Sequence, residues 1–135
     1  MKIASRIAFS VLVVLAAGCA KKTESQTEAQ APGLSDNTAY KVTFLEFGST
    51  TCIPCQQMVA VMKAVEETYG HEVKVVFNDV KSDSGATLGR QYGIQLIPTQ
   101  VLLNDQGEEV FRHQGFIPFE DLAVELKKLG VEAAE

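Results

Sequence analysis

The sequence predicts an α/β fold in which one mixed sheet carries helices on both faces. Three observations lead there. Strand-like and helix-like stretches alternate from residue 40 onward, the pattern of strands separated by covering helices. The run Tyr40 to Phe47 is almost continuous in β-formers and apolar residues, which suits a strand buried on both faces. Near the C-terminal end, two β-rich stretches flank Asn104-Asp105-Gln106-Gly107, which reads as the turn of an antiparallel hairpin.

Taken in order, the first strand holds Tyr40, Val42, Thr43, Phe44, Leu45 and Phe47, with Glu46 among them. Gly48-Ser49-Thr50-Thr51 is a loop whose hydroxyls suit the capping of a following helix. Gln56 to Tyr69 places Met58, Val59, Val61, Met62 and Val65 at three- and four-residue spacings, an amphipathic helix that Gly70 ends. Val73 to Phe77 is a second strand, expected to lie parallel to the first through a right-handed crossover. Asn78 to Gly85 is polar and loop-like, with Ser84 as cap of a short helix through Tyr92 that Gly93 closes. Gln100 to Leu103 and Glu108 to His113 form the hairpin, which Gly115 breaks. Phe119 to Leu129 is the last helix, with Leu122, Val124, Leu126 and Leu129 as its apolar positions. No internal repeat is visible.

The 135 residues leave room for one domain once the N-terminus is set aside. Lys2 and Arg6 precede an apolar run from Ile7 to Ala17 and the small residues Ala16-Ala17-Gly18, the make-up of a signal peptide over residues 1–18. That run is short for a transmembrane helix. Leu15-Ala16-Ala17-Gly18-Cys19 resembles a bacterial lipobox, although Ala16 stands where leucine is preferred. The resemblance implies lipidation of Cys19, which also accounts for an odd third cysteine; ordinary signal cleavage and a retained anchor are the alternatives. Residues 19–37 are rich in Thr, Ser, Gln, Glu and Ala, too polar to bury a core, and read as a flexible tether to a domain at 38–135. Without residues 1–18 the chain keeps 10 basic against 17 acidic residues, a balance that gives no support to nucleic-acid binding.

The chemistry-bearing stretch is Thr51-Cys52-Ile53-Pro54-Cys55, at a junction between strand and helix. Two residues between the cysteines let the sulfurs meet within one helical turn, which suits dithiol–disulfide exchange. Cys52 falls at the helix N-terminus, where unpaired N–H groups and the positive end of the dipole favour its thiolate, so it is the expected nucleophile. Cys55, one turn further in, is the expected resolving thiol. Pro54 suits the first turn, where its missing N–H costs nothing. Half of a zinc site is a rival reading, but it needs two more ligands, and only Cys19, His71 and His113 remain, without ligand spacing. A purely structural disulfide is another. Met58 and Met62, four apart, open a copper reading, although methionines at helical spacing are commonly core filler. No metal or other cofactor is expected beyond the redox-active cysteine pair.

At this point the residues resemble the thioredoxin family over about Thr38 to Gly130. Tyr92-Gly93-Ile94 followed by Ile97-Pro98-Thr99 is similar to the family's segment ending in a cis-proline. Asn104 to Glu109 looks like its hairpin turn, and Gly115 matches a glycine of its last strand. The resemblance implies a thioredoxin-like fold. It also implies that Pro98 packs beside the disulfide, that the backbone of Ile97 pairs with a bound substrate strand, and that Thr51, Ile53 and Pro54 line the docking surface. Glu46, six residues before Cys52, falls where the family has a buried acidic residue. A solvent-facing glutamate in an edge strand is the alternative; buried in so apolar a strand, the carboxyl would have a raised pKa and could take the proton from Cys55.

The departures are informative too. The family's tryptophan before the first cysteine is Thr51 here, aspartate is commoner than glutamate at the position of Glu46, and Ile53-Pro54 replaces Gly-Pro. Strongly oxidising relatives carry a histidine before the second cysteine, which stabilises the reduced thiolate; Pro54 does not, so the balance favours a reductant. The expectation is a monomeric thiol–disulfide oxidoreductase on the periplasmic side of a bacterial envelope, lipid-anchored to a membrane. It would reduce disulfide-bearing exported proteins and draw electrons from a membrane thiol carrier. An oxidase, an isomerase or a copper-binding module is the alternative.

Overall fold

The computed structural model describes residues 40–135; the expected signal segment, Cys19 and the tether lie outside them. The elements are β1 (Val42–Gly48), α1 (Ile53–Tyr69), β2 (Val73–Asp79), α2 (Asp83–Gln91), β3 (Thr99–Leu103), β4 (Glu109–Gln114) and α3 (Phe119–Lys128). The strands form one sheet in the order β2-β1-β3-β4. β1 and β2 run parallel, whereas β3 is antiparallel to both β1 and β4, so the sheet is mixed as expected.

The apolar run of the first strand follows from its place in the middle of this sheet. Every residue of β1 and of β3 is buried. Because side chains alternate along a strand, Val42 and Phe44 point to one face. There they pack with Met58, Val61 and Val65 of α1 and Leu122 and Leu126 of α3. Leu45 and Phe47 point to the other face with Val101 and Leu103, covered by Leu88, Tyr92 and Ile94 from α2 and the stretch after it. Two covered faces leave no room for the polar alternation of a half-exposed strand.

Several local expectations are corrected. β1 begins at Val42 rather than Tyr40 and takes in Gly48, and β2 continues to Asp79. The helix after it is capped by Ser82, not Ser84: the Ser82 hydroxyl donates to the Asp79 carbonyl (2.8 Å) and accepts from the Gly85 N–H (3.0 Å). β4 starts one residue late because Glu108 closes the turn, its carbonyl accepting from the Asn104 N–H at 2.9 Å. Gly107 turns the corner at φ +80°, a conformation glycine adopts without strain. Val59 and Val124, expected on apolar faces, are 56% and 51% exposed, and Tyr69 and Ala123 are buried in addition to the expected positions.

Candidate active site

The site is built where β1 ends. Its last residue, Gly48, is held by the Val80 N–H, which donates to the Gly48 carbonyl at 2.9 Å. Ser49 is buried, and its hydroxyl accepts from the Thr51 N–H (3.3 Å) and pairs with the Thr51 hydroxyl (3.2 Å). The expected hydroxyl cap of the helix is therefore spent on a turn. α1 opens at Ile53 with Cys52 itself as N-cap residue, in an extended conformation, and no side chain among the described residues caps it. The first turn also holds no acidic residue. The positive end of α1 is thus left to the sulfur of Cys52, with no carboxylate or hydroxyl competing for it.

Cys52 and Cys55 form a disulfide with a Cα–Cα separation of 5.2 Å, within the usual span of such bonds. Their surroundings differ. Cys52 is half-buried at the mouth of the loop, whereas Cys55 is only 2% exposed. Cys55 gets that depth from Gly48. A Cβ on Gly48 would lie 3.3 Å from Cys55 Cβ and 3.4 Å from its Sγ, with the Phe77 ring at 3.1 Å on the other side. Only a residue without a side chain lets the helix start settle this closely on the strand.

Glu46 lies two residues back along the same face of β1 and is completely buried. Its register partners are Phe77 on β2 and Gln100 on β3. Burial pushes its carboxyl from the ordinary 4.5 up to about 8, with the Gln100 amide acting weakly in the opposite sense. Neither side chain has a hydrogen-bonding partner of ordinary geometry among the described residues. At neutral pH the group is therefore mainly the neutral acid, with a minor ionised fraction able to accept a proton.

The Ile97–Pro98 bond is cis and Pro98 is buried. Thr99 pairs with Phe47, which sets Pro98 at the same end of the sheet as Gly48 and the cysteine loop. Gly115, at φ +95°, donates its N–H to the Pro98 carbonyl at 2.8 Å. Ile97 is half-buried, while Thr51 and Pro54 are exposed and Ile53 is 75% exposed. Met58 is fully buried in the core and Met62 packs against it, as filler does. Among the described residues no three His, Cys, Asp or Glu side chains are grouped to hold a metal ion.

Three residues of the site were not singled out in the sequence. Gly48 stood in a loop by its Gly-Ser-Thr composition. Gln100, fully buried, is the polar residue inside the apolar strand Thr99–Leu103, and that mismatch was its signal. Lys81 had no signal. It comes from the loop after β2, and its Nζ donates to the Thr51 hydroxyl at 2.6 Å, which brings a cation beside the residue preceding Cys52.

The fold and the graded cysteine pair define the class. A sequence model of the thioredoxin-like domain matches residues 34–130, and the chain belongs to that family. It is 33% identical over 84 residues to thioredoxin 1 of Synechococcus elongatus, covering 62% of this chain and 76% of that protein. It is also 33% identical over 88 residues to thioredoxin of Bacillus subtilis, covering 65% and 82%. Among solved structures it resembles a mutant thioredoxin of Halobacterium salinarum, with a TM-score of 0.59 at 28% identity over 68% of this chain and 77% of that one. The malaria parasite's thioredoxin-2, with a TM-score of 0.61 at 24% identity over 65% and 82%, shares the fold. The chain is a thioredoxin-like thiol–disulfide oxidoreductase, with Cys52 and Cys55 as its disulfide.

The buried carboxyl makes stability depend on pH in a definite direction. Between 4.5 and about 8 the folded chain keeps a proton on Glu46 that the unfolded chain has lost. Stability from this group therefore falls as pH rises through that window, by about 1.4 kcal/mol per pH unit. Urea unfolding of Glu46→Gln should show a shallower loss of stability across the window than the native chain. Equal slopes would contradict the burial of an ionisable group there.

Proposed function

We propose that the chain is an exported, lipid-anchored reductase of protein disulfides. The observation that carries the chemistry is the gradient of exposure across one helical turn: a half-buried Cys52 at an uncapped helix start, and a buried Cys55 behind it. The Cys52 thiolate attacks one sulfur of a substrate disulfide, forming a mixed disulfide and releasing one substrate thiolate. Cys55 gives its proton to the ionised Glu46 carboxylate, and the new thiolate attacks the Cys52 sulfur. The Cys52–Cys55 bond closes, the second substrate thiolate leaves, and two electrons have passed to the substrate.

Docking falls to the surface around Cys52. Ile53 and Leu96, at 75% and 59% exposure, offer apolar area, and Thr51 and Pro54 complete the cysteine loop. Ile97, just before the cis-proline, has neither its N–H nor its carbonyl in a backbone hydrogen bond among the described residues, which suits pairing with an extended substrate segment. The chain acts as a monomer on disulfide-bearing exported proteins and has no nucleic-acid partner.

The reducing direction rests on Ile53 and Pro54. Neither side chain offers a donor to the Cys52 thiolate, and a thiolate stabilised less strongly gives a lower potential. The periplasmic side of the envelope lacks a cytosolic thiol pool, so a membrane thiol carrier returns the electrons. Cys19, through its lipid, holds the domain at that membrane.

Equilibrating the full chain in detergent with glutathione buffers and trapping free thiols measures the direction. The expected midpoint is near the reductant range of about −270 mV, and one near about −120 mV, as in strong oxidants, would overturn it. Replacing Cys19 with Ser should move the chain from the membrane fraction to the soluble fraction of the envelope; a variant that stays with the membrane contradicts the anchor.

A further inference from the structure

Gln100 sits in a strand whose other side chains are apolar or, at Thr99, already bonded, the Thr99 hydroxyl donating to the Leu96 carbonyl at 2.7 Å. It is fully buried on the face shared with Leu102 and Phe44, and among the described residues neither its Nε2 nor its Oε1 has a partner. A buried amide that bonds nothing is unfavourable, and a methionine would occupy the same space without that cost. Both oxygens of Glu46, directly across the β1–β3 ladder, are likewise unpartnered among the described residues. Two polar side chains thus share a buried face within reach of each other, since opposed residues hold their Cβ atoms about 5 Å apart.

Among the described residues, the other groups around Glu46 leave the amide without a rival. From β2 the register partner is Phe77, and Asp79 beyond it accepts from the Lys81 N–H at 2.9 Å. On the α1 side, Cys55 lies against Gly48 and Met58 packs in the cluster that holds Phe44, neither bringing a charge. Lys81 is committed to Thr51, and His113, the β4 partner of Gln100, faces the Phe116 carbonyl at 3.3 Å.

We propose that Gln100 is a positioning residue for the resolving step, its amide N–H donating to the Glu46 carboxylate and holding it as acceptor for the Cys55 proton. This rests on the reading of Glu46 as that acceptor. A donor at this place favours the ionised carboxylate, so it increases the fraction of Glu46 able to take a proton at neutral pH. Proton transfer leaves Glu46 neutral and Cys55 as the attacking thiolate, and the amide is released until the carboxyl ionises again.

Stopped-flow reaction of the reduced full chain with Ellman's reagent separates the steps. The first thionitrobenzoate released reports Cys52 attack, and the second reports Cys55 displacing the mixed disulfide. Gln100→Met should move the rising pH limb of the second phase upward by about one unit, a resolution about tenfold slower at pH 7, and leave the first phase unchanged. Glu46→Gln should abolish that limb, and adding Gln100→Met to it should change nothing further. A second phase that titrates in Gln100→Met as in the native chain overturns the proposal. So does a shift that persists in the Glu46→Gln background, or one that His113→Gln reproduces. If Glu46→Gln itself leaves the second phase as in the native chain, the reading of Glu46 fails and the proposal with it. In the native reduced chain, the side-chain amide resonances of Gln100 should move with the ionisation of Glu46; a pH-invariant amide overturns the proposal without any variant.

Discussion

Everything at this site depends on how closely the first turn of α1 rests on the end of β1. Gly48 supplies no side chain, so Cys55 descends onto the strand until its sulfur is nearly sealed from water. The i, i+3 spacing then leaves Cys52 at the lip of the loop. One steric fact thereby divides two chemically identical thiols into an outer and an inner one. No side chain in the cysteine stretch would do so, because neither that of Ile53 nor that of Pro54 brings a polar group to either sulfur.

Electrostatics builds on that division with two opposed effects. The N-terminus of α1, uncapped by any hydroxyl or carboxylate, favours negative charge on the outer sulfur. Behind it, the apolar face of the sheet disfavours negative charge on Glu46 and raises its carboxyl to about 8. In the proposed mechanism the outer group is the attacking thiolate, and the inner one gives its proton to an acid that ionises only at the upper edge of neutral pH. The sheet provides both environments because β1 is central, flanked by β2 and β3, and covered on each face.

Much of this was legible in the residues. The order of elements, the parallel first pair, the hairpin and the position of the cysteine pair all follow from apolar periodicity, from glycine and proline punctuation, and from the Cys-x-x-Cys spacing. What periodicity does not decide is which of two adjacent apolar residues faces in: Val59 and Val124 fit a helical stripe on paper and stand in solvent, while Tyr69 and Ala123 turn inward. Ser82 and Ser84 are equally good caps by composition, and the choice falls to Ser82 because it also reaches the carbonyl of Asp79. Gln100 was hidden for a related reason. A polar residue in an apolar strand has meaning only once its cross-strand neighbour is known, and that neighbour, Glu46, lies 54 positions earlier in the chain. Lys81 reaches Thr51 through a loop whose path no local pattern encodes.

The central claim is that helix placement, rather than any neighbouring side chain between the cysteines, makes the outer thiol acidic while depth keeps the inner one quiet. Alkylation of the reduced chain by iodoacetamide across a range of pH, with the modified residue located by mass spectrometry, tests it most directly. Cys52 should react with a midpoint clearly below the usual thiol value of about 8.5, with Cys55 unmodified over the same range. A midpoint for Cys52 no lower than that of a cysteine in the unfolded chain, or equal reactivity of the two sulfurs, would contradict it.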